Sequence, residues 1–184
     1  MADKVFRMHY DDEAVIRTVC RPVEDPKDPE KIQLLKDMVQ YLKDSQDDRW
    51  ARRHKVRAGV GLAAPQIGIP ERFFAVYVVI DGKEVKYGLI NPVVVRQSAK
   101  MAALKSGEGC LSVAVDRDGY VPRSYRITVR GFDALTGQDV EVTQKGYPAI
   151  IFQHELDHLD GHLYYDRIDS VDPWREDPEV VKIS

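Results

Sequence analysis

The chain has no long apolar run, few cysteines and little excess charge of either sign. Its apolar runs, such as residues 73–80, fall far short of the ~20 residues of a transmembrane helix, so we expect no membrane association. The first residues carry no apolar signal region. Cys20 and Cys110 are the only cysteines, which is typical of a reducing compartment. We therefore expect a cytoplasmic protein with reduced thiols.

The charge balance argues against a further class of protein. Lysine and arginine together number 27, aspartate and glutamate number 30, and the net charge is −3. This balance argues against a broad basic face for nucleic acid, although it is compatible with a small basic patch. We expect no DNA partner.

The length and apolar content suit an ordinary globular protein. A chain of 184 residues with 43% apolar residues predicts a single domain over residues 1–184. Residues 46–57 are highly charged and predict a surface insertion, either a solvated loop or a short helix. The short tail, residues 171–184, contains Pro173 and Pro178, so we expect no long C-terminal helix.

Two predicted helices flank a region rich in strand-forming residues. Asp28 and Pro29 suit the cap and first position of an amphipathic helix that ends near Ser45. A second, mostly apolar helix is predicted over residues 147–159. Between them, the pattern predicts strands at 72–80, 85–90, 93–97, 127–132 and 140–143. This order indicates an α+β fold with antiparallel or mixed strands packed around the second helix.

The second predicted helix carries a metal-binding motif. The chain has only five histidines, and two of them enclose the sequence His154-Glu155-Leu156-Asp157-His158, an HExxH match. Residues i and i+4 share one face of a helix, so both imidazoles can reach one metal ion, and Glu155 can handle a proton beside them. A metal-free surface helix is the alternative, but the apolar residues 149–152 predict a buried helix.

The third ligand decides the class of metal site, and the spacing leaves more than one candidate. Tyr164 stands where metzincin proteases place a third histidine. Glu176 and Glu179 match the downstream glutamate of other zincins by spacing only. Cys110 is the better candidate, because glycines flank it within residues 107–112. A thiolate and two imidazoles leave one position of a tetrahedral site open, as catalytic centres require.

A small-residue segment forms a third constellation, Gly59-Val60-Gly61-Leu62-Ala63-Ala64-Pro65-Gln66-Ile67-Gly68. A dinucleotide-binding loop does not fit, because no strand clearly precedes the segment and its third glycine is displaced. The segment instead predicts a tight turn whose backbone a substrate can approach. Gln66 is then a candidate polar group beside the substrate. Taken alone, this residue is interpreted equally well as a surface amide.

The three segments together resemble the peptide deformylase family. The family motifs G-x-G-x-A-A-x-Q, E-G-C-[LV]-S and Q-H-E-x-D-H-x-x-G match residues 59–66, 108–112 and 153–161, in that order. The charged insertion and the short tail resemble the bacterial class II branch. The resemblance implies hydrolysis of the N-formyl group from the initiator formyl-methionine of new polypeptides, with release of formate.

The resemblance also implies roles for individual residues. The implied metal ligands are Cys110, His154 and His158, around one divalent ion. The physiological ion is expected to be Fe²⁺, while Zn²⁺, Ni²⁺ or Co²⁺ can occupy the same site. The implied catalytic groups are the Glu155 carboxylate as base and acid, and the Gln66 side chain and Leu111 backbone N–H as oxyanion donors.

Substrate contacts follow from the same resemblance. The implied substrate-binding positions are Val60, Gly61, Glu108, Tyr147, Ile150 and Ile151. The Gly61 backbone would lie along the substrate chain as a neighbouring strand does. Arg123 is expected to pair with Glu108 and so to hold the cysteine loop.

The implied partners are N-formyl-methionine peptides and nascent chains, and the expected state is a monomer. Weak ribosome association is left open, since a long C-terminal helix is not expected. Two other functions also remain open at this stage. One is a peptidase that uses the same helix with a different third ligand. The other is a non-enzymatic metal-binding or ribosome-associated protein.

Overall fold

The structure is a computed structural model that describes residues 3–184. Its helices are α1 (Pro29–Ser45), α2 (Asp48–His54) and α3 (Tyr147–Leu159). Its strands are β1 (Gly61–Ala63), β2 (Phe73–Ile80), β3 (Lys83–Gln97), β4 (Met101–Leu104), β5 (Arg123–Ser124), β6 (Arg126–Asp133), β7 (Gln138–Lys145) and β8 (Val180–Ile183). Short 3₁₀ turns occur at Ala14–Arg17, Ala64–Ile67 and Tyr164–Arg167. Among the described helices, none has the length and apolar character needed to cross a membrane.

Helix α1 begins and ends where its sequence predicts. The Asp28 side chain accepts a hydrogen bond of 2.9 Å from the backbone N–H of Glu30, and Pro29 occupies the first turn. The apolar positions Leu35, Met38 and Leu42 are fully buried, so one face of the helix anchors it to the sheet.

The charged insertion contains a short helix, one of the two forms that its composition allows. Asp47 caps α2 by accepting hydrogen bonds from the backbone N–H groups of Arg49 and Trp50. Trp50 is buried, and its ring packs edge-to-face against Tyr41 of α1 with centroids 5.9 Å apart. Trp50 therefore anchors α2 to the core, while the charged residues of α2 face solvent.

Two sheets build the β part of the molecule. The larger is antiparallel with strand order β1-β2-β3-β6-β7, and the smaller has the order β5-β4-β8, in which β4 and β8 run parallel. The two strands predicted at 85–90 and 93–97 are one strand, because β3 continues through Asn91 and Pro92 with a register shift between Ile90 and Val93. Asn91 adopts a positive φ of 51° there, and its side chain pairs with the backbone of Val23.

Helices cover both faces of the larger sheet. Alternate residues of β2 point to opposite faces, so Phe73 and Tyr77 join the cluster around α1, while Phe74 and Val76 pack beneath α3. This double burial explains why β2 reads as a continuous apolar run. The predicted α+β class is confirmed, and its packing holds α3 against β1 and β2.

The tail differs from its prediction in one respect. No helix follows α3 apart from the 3₁₀ turn in the described residues, as expected, but β8 adds a strand beside β4. Four short strands, β1, β4, β5 and β8, were not predicted from the sequence, and β1 lies in the segment predicted as a tight turn. Because β4 leads directly into the loop that carries Cys110, the tail supports the segment on which the site depends.

Candidate active site

The candidate metal ligands converge on one point. Helix α3 starts immediately after β7. It carries His154 and His158, which lie near Cys110 in the loop between β4 and β5. One donor atom each from Cys110, His154 and His158 lies within 4.8 Å of the others. No other such cluster of His, Cys, Asp and Glu occurs among residues 3–184. The fold thus brings together two residues of a helix and one loop residue far away in sequence.

Three polar groups surround the sulfur of Cys110. Its Sγ lies 3.3 Å from His158 Nε2, and the backbone N–H of Ser112 donates to it at 3.4 Å. The Gln66 side-chain Nε2 lies 3.6 Å from the same sulfur. The sulfur thus lies beside an imidazole nitrogen, within reach of a single ion. One soft sulfur and two imidazole nitrogens therefore form a donor set that fits a single divalent transition-metal ion.

A buried ion-pair network orients His154. Its Nδ1 lies 2.8 Å from Glu108 Oε2, and Arg123 donates to both oxygens of Glu108 at 2.6 and 3.0 Å. The Glu108 and Arg123 side chains are 3% and 1% exposed. Burial raises the pKa of Glu108, but Arg123 and His154 outweigh it and hold that pKa below its usual value. A charged Glu108 fixes the His154 tautomer and leaves Nε2 free for a metal ion.

The network extends to Asp157 and Arg167, for which the sequence predicted no role. Arg123 Nη1 donates to Asp157 Oδ2 at 2.9 Å. Arg167 donates two hydrogen bonds of 2.7 Å to the same carboxylate. Asp157 is the aspartate of the family motif Q-H-E-x-D-H-x-x-G, and Arg167 lies in a 3₁₀ turn beyond α3. The motif contains Asp157 without giving it a role, and Arg167 has no sequence signal apart from its opposite charge close to the motif.

Glu155 has the environment of a proton-transfer group. It is 3% exposed, and its Oε2 has no hydrogen-bond partner among the described residues. Burial raises the pKa of Glu155 to about 7, against the opposing charges of His154 and Arg123. A Cβ added at Gly61 would overlap Glu155 Oε1, so only glycine fits against this carboxylate.

Gln66 is buried, so the alternative of a surface amide is wrong. It is 1% exposed and lies in the 3₁₀ turn after β1. Its Oε1 accepts from the Ala63 backbone N–H at 2.8 Å, and its Nε2 donates to Ser112 Oγ at 3.1 Å. The amide is thus held with its NH₂ group toward the cysteine loop, where Leu111 also lies.

A cleft of about 370 Å³ opens beside these groups. It is lined by the six predicted substrate-binding positions, Val60, Gly61, Glu108, Tyr147, Ile150 and Ile151. The same cleft reaches Gln66, Cys110, His154 and Glu155. Five further lining residues were not predicted from the sequence, namely Gln46, Arg57, Ala58, Leu104 and Ser106. These lining residues lie in segments that contain no recognisable motif.

The competing third ligands lie elsewhere. Glu176 has a side chain that is 74% exposed, and it pairs with Lys182 and the Tyr120 hydroxyl. Glu179 is exposed as well. Neither belongs to the cluster formed by Cys110 and the two histidines.

A Cys-His-His donor set next to a buried glutamate, beside an open cleft, is the arrangement of a metal-dependent hydrolase. The comparison with known proteins is more specific. A family model described as polypeptide deformylase matches residues 5–174. The chain belongs to the peptide deformylase family, in the class II branch that its insertion and tail resemble.

Similar proteins cover nearly the same length. The chain is 48% identical over 153 residues to a peptide deformylase of Oceanobacillus iheyensis, with 83% of both proteins covered. It is 44% identical over 174 residues to peptide deformylase 2 of Bacillus subtilis, with 94% of both covered. The crystal structure of peptide deformylase from Thermus thermophilus is similar with a TM-score of 0.73 at 34% identity, covering 91% of this chain and 87% of that one.

Proposed function

We propose that this chain hydrolyses the N-formyl group of formyl-methionine at the start of new polypeptides and releases formate. Family membership carries the reaction type. The single structural observation that supports it is the convergence of Cys110, His154 and His158 next to Glu155, beside an open cleft. The products are formate and a polypeptide with a free α-amine.

The cofactor in this proposal is one divalent metal ion held by Cys110, His154 and His158. Fe²⁺ is the proposed physiological ion, and Zn²⁺, Ni²⁺ or Co²⁺ are alternatives for the same donor set. When bound, such an ion polarises the formyl oxygen and makes water more acidic. Glu108, supported by Arg123, keeps His154 oriented toward the ion.

Glu155 is the proposed base and acid. Its free Oε2 can accept a proton from water and later deliver it to the leaving amine nitrogen. A pKa of about 7 suits both transfers, because a group with this value gains and loses protons near neutral pH. The close approach of Gly61 fixes the carboxylate next to the proposed path of the substrate backbone.

Two hydrogen-bond donors are proposed for the negative charge that develops on the formyl oxygen. The Gln66 NH₂ group is preorganised, because Ala63 holds the other end of the amide. The second donor is the Leu111 backbone N–H, which follows Cys110 in the loop. Fixed donors of this kind stabilise negative charge without reorganising during the reaction.

Substrate selection is assigned to the wall of the cleft. Val60, Tyr147, Ile150 and Ile151 would contact the methionine side chain. Gly61 would pair with the substrate backbone in an extended conformation. Glu108 lies at the edge, but Arg123 and His154 occupy both of its carboxylate oxygens, so positioning His154 is its main proposed role.

The decisive experiment is anaerobic purification with metal analysis and a formate-release assay. Formyl-Met-Ala-Ser and unformylated Met-Ala-Ser serve as substrate and control. We expect stoichiometric formate from the formylated peptide and no reaction with the control. Cleavage of internal peptide bonds without formate would instead favour the peptidase, and metal binding without turnover would favour the non-enzymatic protein.

We further propose a cytoplasmic monomer that acts on nascent chains. The two cysteines, Cys20 and Cys110, are both unpaired and buried, which is compatible with a reducing compartment. Light scattering tests the monomer, and co-sedimentation with ribosomes at increasing salt tests a weak association.

A further inference from the structure

Arg57, at the end of the charged insertion, reaches across the mouth of the cleft. Its Nη1 donates to the carbonyl oxygens of Cys110 and Val113, at 3.3 and 2.8 Å. Its Nη2 donates to Asp116 Oδ1 at 3.2 Å. The same residue lines the cleft, two positions before Gly59. One guanidinium thus connects the segment that leads into β1 with the loop that carries Cys110.

The backbone that carries Arg57 is fixed independently of that loop. The Gln46 side chain donates to the carbonyl oxygens of Gly59 and Tyr77, both at 2.9 Å. The Gly59 N–H donates to the buried Ser45 hydroxyl at 3.1 Å. These bonds tie the segment to α1 and β2. Arg57 therefore extends from a rigid base toward the loop.

The Cys110 carbonyl has a direct connection to the proposed chemistry. Its oxygen and the Leu111 N–H belong to one peptide group, which is planar and almost always trans. A donor that fixes the carbonyl oxygen consequently fixes the direction of the N–H at the opposite end. The Val113 N–H donates to the same oxygen at 3.2 Å. A charged donor on a carbonyl also polarises its peptide group, which strengthens the N–H as a donor.

We propose that Arg57 is a positioning residue for deformylation. By holding the Cys110 carbonyl, it orients and polarises the Leu111 N–H toward the developing oxyanion. This inference rests on the proposed function, which assigns that N–H to the oxyanion. It also gives the charged insertion a task at the site, since Arg57 is the residue through which residues 46–57 reach the cysteine loop.

Steady-state kinetics of the metal-loaded enzyme form the first arm of the test. The test variants are Arg57→Ala and Arg57→Lys. Asp116→Ala removes the ion pair but leaves the carbonyl contacts, and Arg52→Ala removes an equal charge from exposed α2. We expect Arg57→Ala to lower kcat about tenfold with KM within about twofold, because the donor is misaligned but present. Arg57→Lys should recover part of the loss, and both controls should stay within about twofold of the parent enzyme.

The Leu111 amide resonance in ¹⁵N-labelled, zinc-loaded protein forms the second arm. We expect its ¹H and ¹⁵N shifts to move upfield in Arg57→Ala, partly in Arg57→Lys, and not in Asp116→Ala. Metal content should equal that of the parent enzyme in every variant. If Arg57→Ala does not fold, Arg57→Lys must still move the resonance and Asp116→Ala must not.

An unmoved Leu111 resonance, or an unchanged kcat in the folded Arg57 variants, overturns the role of Arg57. A loss of kcat of equal size in Asp116→Ala also overturns it, because the ion pair rather than the carbonyl contact would then matter. An unmodified chain that releases no formate contradicts the proposed function itself, which distinguishes the two failures.

Discussion

Glu155 is the residue whose environment most constrains the chemistry. It lies in the interior next to Gly61, without a hydrogen-bond partner for Oε2 among the described residues. A buried carboxylate without such a partner costs stability, and burial raises its pKa to about 7. Such a cost in stability is common at functional sites, where catalysis requires a group with a shifted pKa.

We predict that Glu155→Ala keeps the metal ion and loses turnover. The candidate ligands are other residues, whereas acid–base catalysis typically contributes 10²–10⁴-fold, so we expect a loss on the order of 10³ in kcat. Formate release and metal stoichiometry, measured on the same samples, check this outcome. Glu155→Gln is the isosteric control and should lose activity equally. A fully active Glu155→Ala variant would refute the general-base role.

A functional residue could be predicted from the sequence when the residues that it acts with lie close to it along the chain. His154 and His158 share a helix face, so their spacing of four residues is a reliable signal. Cys110 was identified through its glycine-rich surroundings and the family motif. The family motif contains Asp157, but its contact with Arg123 and the contacts of Arg57 join segments distant in sequence, and no local pattern predicts such contacts.

At the scale of elements, short strands and a buried ion pair hold the cysteine loop. The loop runs from β4 to β5, β4 is flanked by β5 and β8, and Arg123 of β5 reaches Glu108 in the loop. The long helices were predictable from capping and periodicity. The strands β1, β4, β5 and β8 were not, because strands of two to four residues show no alternation and form through distant pairing.

We predict that the buried ion pair matters far more for stability than an exposed pair of the same residue types. Arg123→Met leaves the buried Glu108 charge without its main partner, and we expect a loss of about 3–5 kcal/mol in the free energy of unfolding. Arg130→Met breaks an exposed pair with Glu141 and should cost less than about 0.5 kcal/mol. Urea unfolding of the metal-free proteins measures both. Equal losses would contradict the structural importance of the network.

A second prediction at this scale concerns the tail. Val180 of β8 is 8% exposed, whereas the neighbouring Val181 is 40% exposed. We expect Val180→Ala to lower the free energy of unfolding by about 1–2 kcal/mol. Val181→Ala should change it by less than about 0.5 kcal/mol. Thermal or urea unfolding checks the pair, and similar values for both would show that β8 does not pack as described.

At the scale of the whole molecule, composition set broad limits and left the function open. A net charge of −3 and the lack of long apolar runs argued against broad nucleic-acid binders and membrane proteins. The single domain over residues 1–184 stays a prediction, supported by a family match over residues 5–174. We expect one cooperative urea transition, with fluorescence and circular dichroism coinciding. Two separate transitions would indicate independent units.

The central claim is that one divalent ion, held by Cys110, His154 and His158, is required for deformylation. Titration of Fe²⁺ into metal-free protein under anaerobic conditions, with formate release from formyl-Met-Ala-Ser as the readout, tests it most directly. We predict a linear rise in activity that ends at one ion per chain, and no such rise in Cys110→Ala. Full activity without metal, or an unaltered titration in Cys110→Ala, would contradict the claim.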